Sequence, residues 1–187
     1  NVAAHTVTVT GEALPLEVWQ LLYPVHLRDT VSPRAAENGL DPSLVLGLIR
    51  QESAFNEKAR SSAGARGLMQ ILPSTGKTLA RRAGIKRYSA ARLYEAGTNV
   101  ALGVRFLSSL LERFGGAELA LAAYNAGPSR VDRWLKEYGG GDIPLFVEQI
   151  PFGETRGYVK QVMSNRALYG RLAPSASAMP SAPRSPT

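Results

Sequence analysis

The stretch "LVLGLIRQESAF", Leu44 to Phe55, has the clearest helical pattern in the sequence. At a rotation of about 100° per residue, Leu44, Leu48 and Phe55 fall within one apolar arc of a helix. Arg50 falls on the opposite side, whereas Glu52 falls inside the apolar arc. The pattern therefore places a carboxylate on the helix face that is expected to be buried.

A buried carboxylate is unfavourable unless it is paired or keeps its proton. Desolvation raises the pKa of such a group, which suits a general acid at neutral pH. Two structural alternatives remain for Glu52: an ion pair with a buried Arg, or exposure because the helix frays after Gln51. The helical pattern alone leaves all three interpretations open.

The composition narrows the chemistry. The 187 residues include no Cys and two His, so disulfides and Cys nucleophiles are excluded and a zinc site is not expected. We expect neither a metal nor a cofactor. No run of 18 apolar residues is present, so no membrane-spanning helix is predicted. The net charge of +7 favours an anionic partner, such as nucleic acid, a membrane surface or an acidic wall polymer, although a solvated basic surface is the alternative.

Helix signals dominate the remaining sequence. Asp41 followed by Pro42 is typical of a helix start. A helical repeat runs through "NVALGVRFLSSLLERFGG" and stops at Gly115. Further helices are predicted in "AELALAAYNAGP", "PSRVDRWLKEYGGG" and "ETRGYVKQVMSNRALYG". The predicted fold class is all-α, or α with minimal β, in a compact domain of many short helices.

The sequence predicts one folded domain with two flanking segments. Residues 16–172 carry the helical patterns. Residues 1–15 form a lead-in that alternates weakly and could be an edge strand or the end of an upstream region. Residues 173–187 are rich in Pro, Ser and Ala, and we expect this tail to be disordered.

Two segments after Glu52 contain groups suited to sugar binding. In "SSAGARGLMQILPST", Gly64 and Gly67 would let the backbone approach a ligand closely. In "AAYNAGP", Tyr124 and Asn125 offer an aromatic face and an amide, which match the CH faces and hydroxyls of a sugar ring. Each feature has a structural alternative: helix packing for the glycines, core packing for Tyr124 and a helix cap for Asn125.

Taken in order, "RQESAF", "SSAGARGLMQILPST", "AAYNAGP" and "IPFGETRGYV" resemble the catalytic domain of soluble lytic transglycosylases, glycoside hydrolase family 23, which has the goose-type lysozyme fold. The resemblance covers Leu40 to about Leu172, and the linking segment "NVALGVRFL" fits the same family. The form "IPFGETRGYV" is similar to the soluble type rather than to the membrane-bound relatives.

This resemblance implies cleavage of the β-1,4 bond between N-acetylmuramic acid (MurNAc) and N-acetylglucosamine (GlcNAc) in peptidoglycan, with a 1,6-anhydroMurNAc end formed without water. Glu52 matches the family's single catalytic acid/base. Phe106 stands where a Tyr is frequent, which removes a hydroxyl contact. For Glu154, a charge at a helix N-terminus or a partner for Arg156 is the structural alternative. The residues that the resemblance assigns to glycan binding are Ser61, Met69, Gln70, Phe106, Tyr124, Asn125 and Glu154.

The resemblance also implies the setting in which the protein acts. Peptidoglycan strands are the expected partner, with neither nucleic acid nor a membrane span involved. We expect a monomer in the periplasm or bacterial cell envelope. Three alternatives differ in class: a hydrolytic lysozyme on the same fold, a catalytically silent peptidoglycan-binding module, and a helical nucleic-acid-binding domain suggested by the charge. The last lacks a dense basic recognition helix.

Overall fold

The computed structural model describes residues 18–19 and 22–172. Within these residues the secondary structure consists of helices, with isolated β-bridges between Arg60 and Arg66 and between Arg66 and Ile71 in place of strands. The predicted all-α class is therefore confirmed. The predicted lead-in and disordered tail lie outside the described residues.

Eight α-helices and one 3₁₀ helix have both ends within the described residues. The sequence patterns predict α2, α4, α5, α6 and α8, whereas α1, α3 and α7 carry no clear pattern. In chain order the helices are α1 Arg28–Glu37, α2 Pro42–Ser53, α3 Pro73–Arg82, the 3₁₀ helix Ala90–Tyr94, α4 Ala96–Phe114, α5 Ala117–Ala126, α6 Pro128–Tyr138, α7 Ile143–Gln149 and α8 Gly153–Arg171.

Helix α2 begins as predicted. The Asp41 carboxylate accepts a hydrogen bond from the backbone N–H of Ser43 at 2.8 Å, and Pro42 occupies the first helical turn. The Asp41 carboxylate also pairs with Arg166 of α8, with the two charged atoms 2.8 Å apart. This start fixes the helix that carries Glu52.

The end of α2 differs from the prediction. The helix stops at Ser53 because Ala54 and Phe55 adopt left-handed backbone conformations, with φ of 47° and 66°. Phe55 therefore does not belong to the apolar arc of the helix, and its assignment to that arc is wrong. Its ring packs instead against Tyr169 of α8, with the centroids 6.2 Å apart.

Helices α2 and α8 pack tightly along each other. A Cβ atom placed on Gly47 would lie 2.9 Å from the backbone nitrogen of Arg166 and 3.1 Å from the carbonyl oxygen of Val162, so the two backbones nearly touch. Asn165 of α8 donates a hydrogen bond to the carbonyl of Gly47 at 3.3 Å. This contact places the first half of α8 beside the end of α2, where Glu52 lies.

The remaining helices surround this pair. Helix α5 is central among them, since residues 119–123 are all buried and the helix packs against α4, α6, α7 and α8. Helix α1 packs against α2 and α4. Helix α3 and the 3₁₀ helix pack against each other and against α4. The functional groups therefore project from a helical core that is fixed from several sides.

Candidate active site

Glu52 lies in the last turn of α2 and is partly buried. Its Oε1 atom accepts a hydrogen bond from the hydroxyl of Tyr158 at 2.6 Å. Tyr158 lies on α8 and is 5% exposed, so its hydroxyl is held in place. Among residues 18–19 and 22–172, no Lys or Arg forms an ion pair with Glu52, and the helix continues past Gln51. Neither structural alternative for Glu52 is observed in this part of the chain.

Burial raises the pKa of Glu52 to about 7. The hydrogen bond from Tyr158 lowers this pKa, and the nearby negative charge of Glu154 raises it. A carboxyl group with a pKa near 7 is populated in both protonation states at neutral pH. Glu52 can therefore donate a proton in one step and accept one in the next.

Tyr124 lies on α5, close enough to Glu52 for the carboxylate charge to act on it. Burial, and secondarily the charge of Glu52, raises the pKa of Tyr124 well above its ordinary value. The Tyr124 hydroxyl donates to the carbonyl of Met69 at 2.7 Å. Its ring contacts that of Phe106, with the centroids 5.0 Å apart. The Tyr124 hydroxyl thus donates its proton to the protein backbone. The Tyr124 ring forms one wall of the site near Glu52.

Asn125 and Glu154 lie where α5 meets the start of α8. The side-chain oxygen of Asn125 accepts a hydrogen bond from the hydroxyl of Thr155 at 2.6 Å, which orients the amide. Glu154 is exposed. Arg156 donates to the backbone carbonyls of Glu148 and Ile150, at 3.3 and 3.1 Å, and no ion pair with Glu154 is seen among the described side chains. Of the structural alternatives for Glu154, the charge at a helix N-terminus therefore remains.

Gln70 reaches the same region from the loop before α3. It adopts a left-handed backbone conformation, with φ of 46°. Its side-chain nitrogen donates to the carbonyls of Ala59 and Gly67, at 3.2 and 2.8 Å. Gln70 and Tyr124 line one cleft of about 330 Å³. Gln70, which the family resemblance assigns to glycan binding, therefore also stabilises the loop before α3.

Two residues predicted to contact the glycan, Met69 and Ser61, make contacts within the protein. The Met69 side chain is fully buried, and a Cβ on Gly103 of α4 would lie 2.3 Å from its sulfur. Met69 is thus a core residue whose carbonyl positions Tyr124, which corrects the prediction that it contacts the glycan. The Ser61 hydroxyl accepts a hydrogen bond from the N–H of Ala65 at 3.0 Å. Ser61 stabilises its own loop, and a glycan contact by Ser61 stays a prediction.

A continuous depression, here called the central groove, joins these residues. The cleft beside Tyr124 shares Asn125 and Arg130 with a second cleft of about 350 Å³. The second cleft shares Glu154 with a third cleft of about 550 Å³, which Tyr158 also lines. Gln51 and Ala54, which lie on either side of Glu52 along the chain, line the third cleft as well. The groove thus runs along one side of the molecule past the end of α2.

Comparison with known proteins places this arrangement in a family. The model of the transglycosylase SLT domain matches residues 29–147, and that of the soluble lytic transglycosylase helical domain matches residues 149–175. The chain belongs to the transglycosylase SLT domain family.

Named relatives of this SLT domain agree with the assignment. The soluble lytic murein transglycosylase of Salmonella typhimurium is 40% identical over 150 residues, which is 79% of this chain and 23% of the relative. The protein of the same name from Escherichia coli strain K12 is 39% identical over the same shares. The chain therefore spans about a quarter of the length of these relatives.

Solved structures show the same similarity. An inactive mutant of the lytic transglycosylase Slt from Pseudomonas aeruginosa has a TM-score of 0.77 and 41% identity, covering 81% of this chain and 25% of that one. The 70-kDa soluble lytic transglycosylase of Escherichia coli has a TM-score of 0.78 and 38% identity, covering 82% and 25%. A complex of the 70-kDa soluble lytic transglycosylase with bulgecin A has a TM-score of 0.79, 35% identity and coverage of 87% and 27%.

Sequence reasoning missed a buried polar residue that supports the site of the SLT domain. Asn99 on α4 is fully buried, and its side-chain oxygen accepts a hydrogen bond from the N–H of Met69 at 2.8 Å. Its amide nitrogen donates to the carbonyls of Arg66 and Leu93, at 2.8 and 2.7 Å. The signal was present, because Asn99 precedes the buried Leu107 by eight residues on the apolar face of α4.

Gly67 shows why this loop is rich in glycine. Its φ is 75°, and a Cβ atom would lie 2.1 Å from the carbonyl oxygen of Leu93 and 2.4 Å from the amide nitrogen of Asn99. The glycine therefore allows the loop to approach Asn99, which corrects the interpretation that it serves the approach of a ligand. At Gly64, with a φ of 82°, the requirement is the left-handed backbone alone, since no atom lies within 4 Å of an added Cβ.

Further residues of the site were not singled out as functional from the sequence. Tyr158 of α8 holds the Glu52 carboxylate through the hydrogen bond that its hydroxyl donates. Arg130 and Phe152 line the central groove, with the guanidinium of Arg130 lying 5.3 Å from the centre of the Phe152 ring. Phe152 is 47% exposed, which leaves an aromatic face open to a ligand.

Among residues 18–19 and 22–172, no group of three or more His, Asp or Glu side chains is arranged to hold a metal ion. In the same residues, no helix combines the length and the apolar character needed to cross a membrane.

Proposed function

We propose that this SLT domain is a lytic transglycosylase that cleaves the β-1,4 bond between MurNAc and GlcNAc in peptidoglycan and leaves a 1,6-anhydroMurNAc end. The observation that carries the proposal is Glu52, a partly buried carboxyl group with a pKa of about 7 beside the central groove. The relatives that this chain matches over most of its length are named soluble lytic murein transglycosylases.

In the first step, protonated Glu52 donates its proton to the glycosidic oxygen, and the bond between that oxygen and the anomeric carbon of MurNAc breaks. GlcNAc leaves with a new hydroxyl. The N-acetyl group of the substrate stabilises the positive charge that develops on the MurNAc ring. The protein does not need a second carboxylate as nucleophile, in contrast to most glycosidases.

In the second step, the Glu52 carboxylate accepts the proton of the C6 hydroxyl. The C6 oxygen then bonds to the anomeric carbon, the anhydro ring closes, and Glu52 is protonated again for the next cycle. No water is consumed. Because the attacking oxygen belongs to the same sugar, its orientation supplies much of the rate.

The surrounding residues orient the carboxyl group and the glycan. Tyr158 fixes one oxygen of Glu52, and Glu154 raises the pKa of Glu52 through its charge. Tyr124 and Phe106 offer aromatic walls, and Asn125 offers an oriented amide. We propose that the glycan strand lies in the central groove and that the protein acts in the periplasm or cell envelope.

Product analysis tests this proposal. Purified sacculi are digested with the wild type, with Glu52→Gln and with Glu57→Gln, a change at an exposed glutamate five residues further along. We expect the wild type and Glu57→Gln to release anhydro products, which mass spectrometry identifies as lighter than hydrolysed products by one water. We expect turnover by Glu52→Gln to fall by about 10³-fold, within the range for loss of a general acid.

Two of the alternatives give different results in this experiment. Reducing ends in the wild-type digest would identify a hydrolytic lysozyme. Binding to sacculi without any release of fragments would identify a silent binding module. Normal turnover by Glu52→Gln would remove Glu52 from the mechanism.

A further inference from the structure

The positive charge of the chain is concentrated in one segment. Between Lys58 and Tyr94 there are nine Lys and Arg residues and no Asp or Glu, whereas the other 150 residues contain 13 basic and 15 acidic residues. The net charge of +7 therefore arises from this segment alone. The described structure places it in the loop before α3, in α3, in the connection that follows and in the 3₁₀ helix.

Part of this segment forms a cleft of about 650 Å³, here called the basic cleft. Lys77, Arg81 and Lys86 line it together with hydroxyl-bearing residues, and all three cations are exposed. Within residues 22–172 none of the three forms a salt bridge, whereas Arg92 of the same segment pairs with Glu95 at 3.1 Å. The cations of the basic cleft are thus available to an external anion.

The two walls of the basic cleft are fixed to each other. Tyr88 lines the cleft, and its hydroxyl donates to the carbonyl of Pro73 at 3.0 Å. A Cβ atom on Gly76 would lie 2.4 Å from the Tyr88 hydroxyl, so the connection after α3 packs directly on the helix. Lys77, Arg81 and Lys86 therefore project from a helix and a connection that are packed against each other.

The basic cleft continues towards the central groove. It shares Thr78 with a cleft of about 480 Å³, and that cleft shares Thr75 and Phe106 with the cleft beside Tyr124. Helix α3, which has ten residues and is about 15 Å long, separates the two clefts, and the exposed Thr78 lines both of them. A polymer in the central groove can therefore reach the basic cleft by crossing the helix at Thr78.

We propose that the basic cleft binds the carboxylate groups of the peptides that the glycan strand carries, at a distance from the bond that is cleaved. The proposal rests on the proposed function, which supplies a polymer that carries such groups. Continuity with the central groove favours this polymer over an unrelated anion such as nucleic acid or lipid. Each exposed ion pair contributes a factor of about two to affinity, so the three cations together contribute about eightfold.

The test uses a triple variant, Lys77→Gln with Arg81→Gln and Lys86→Gln. A matched control, Arg105→Gln with Arg133→Gln and Lys136→Gln, removes the same charge from exposed residues that line none of the clefts described above. Binding to peptide-bearing strands is measured in the Glu52→Gln background, so that no substrate is consumed. Turnover is measured with Glu52 present.

We expect the cleft variant to bind peptide-bearing strands about eightfold more weakly and to show a matching rise in KM with unchanged kcat. The control variant should retain wild-type binding. On glycan strands stripped of their peptides, the two variants should differ much less. At 1 M salt the difference should vanish, because the screening length falls to about 3 Å.

Several results would overturn the proposal. These are an equal loss in the control variant, an equal loss on stripped glycan, or unchanged binding to peptide-bearing strands while binding to DNA or anionic vesicles falls. Failure of the proposed function would be a separate result. Missing anhydro products would contradict that function, whereas the comparison of strand binding between the cleft variant and the control variant would still test the basic cleft.

Discussion

Two polar side chains buried between helices, Asn99 and Glu52, have different surroundings. Asn99 is fully buried and makes three hydrogen bonds to the backbone, which satisfy its oxygen and both protons of its amide. Glu52 is partly buried and accepts one hydrogen bond, from Tyr158, without an ion pair among the described residues. Asn99 is neutral, has its hydrogen bonds satisfied and fixes a loop. Glu52 has little compensation for its charge, and its raised pKa suits catalysis.

Replacement of Asn99 should have the largest effect on stability. Asn99→Ala leaves the N–H of Met69 and the carbonyls of Arg66 and Leu93 without their partner, and we expect a loss of about 3 kcal/mol in the free energy of unfolding. Chemical denaturation provides the measurement. The control Asn56→Ala, at an exposed residue that accepts one hydrogen bond from the N–H of Lys58, should lose less than about 1 kcal/mol. Equal losses in the two variants would show that the buried hydrogen bonds of Asn99 contribute no more to stability than an exposed hydrogen bond.

Replacement of Glu52 should increase the stability of the folded protein, and only at pH values where the carboxyl group of Glu52 ionises. The pKa of Glu52 is raised from 4.5 to about 7 in the folded protein, so unfolding releases a proton between these values and the folded state loses stability as pH rises through this window. At pH 8 we expect Glu52→Gln to be about 2 kcal/mol more stable than the wild type, allowing for partial solvent screening.

Below pH 4 the same pair should be equally stable, since both states of the wild type are then protonated. Denaturation curves at the two pH values provide the measurement. A Glu52→Gln variant that is less stable than the wild type at pH 8 would show that the ionised carboxylate is well compensated in the fold.

The hydrogen bond from Tyr158 should produce a smaller, specific change. Tyr158→Phe removes a contact that lowers the pKa of Glu52, so that pKa should rise. We expect the pH–rate profile on sacculi to move by about one pH unit towards alkaline pH, with KM little changed. Tyr138→Phe removes a tyrosine hydroxyl that lines none of the clefts described above and should leave the profile in place. An unshifted profile for Tyr158→Phe would assign this tyrosine a structural role only.

The sequence predicted the elements with strong periodic signals and missed those without them. The capped start of α2 at Asp41 and the apolar repeat of α4 identified their helices, and the helical arc correctly placed Glu52 on a face that is partly buried. Helix α3 has a polar sequence and buries only Gly76, Leu79 and Ala80, so no apolar stripe could reveal it.

For the candidate active site, the order of the four motifs along the chain was more informative than the hydrophobic pattern within any one helix. The structure places Gln70, Tyr124, Asn125 and Glu154 along one groove, and their contact with a glycan stays a prediction. The same motifs gave no means of separating Met69, which faces the core, from its neighbour Gln70. Nor could they reveal the contact of Tyr158 with Glu52, because the two residues lie 106 positions apart and meet only through the packing of α2 on α8.

The titration of the Glu52 carboxyl group tests the central claim most directly. Carbon-13 NMR of side-chain carboxyl groups, with the Glu52→Gln spectrum used to assign the resonance, follows its protonation from pH 3 to pH 9. We predict a midpoint at about 7, set by burial near the groove. A midpoint near 4.5, the ordinary value for glutamate, would contradict the account, because Glu52 would then lack the proton that the first step of cleavage requires.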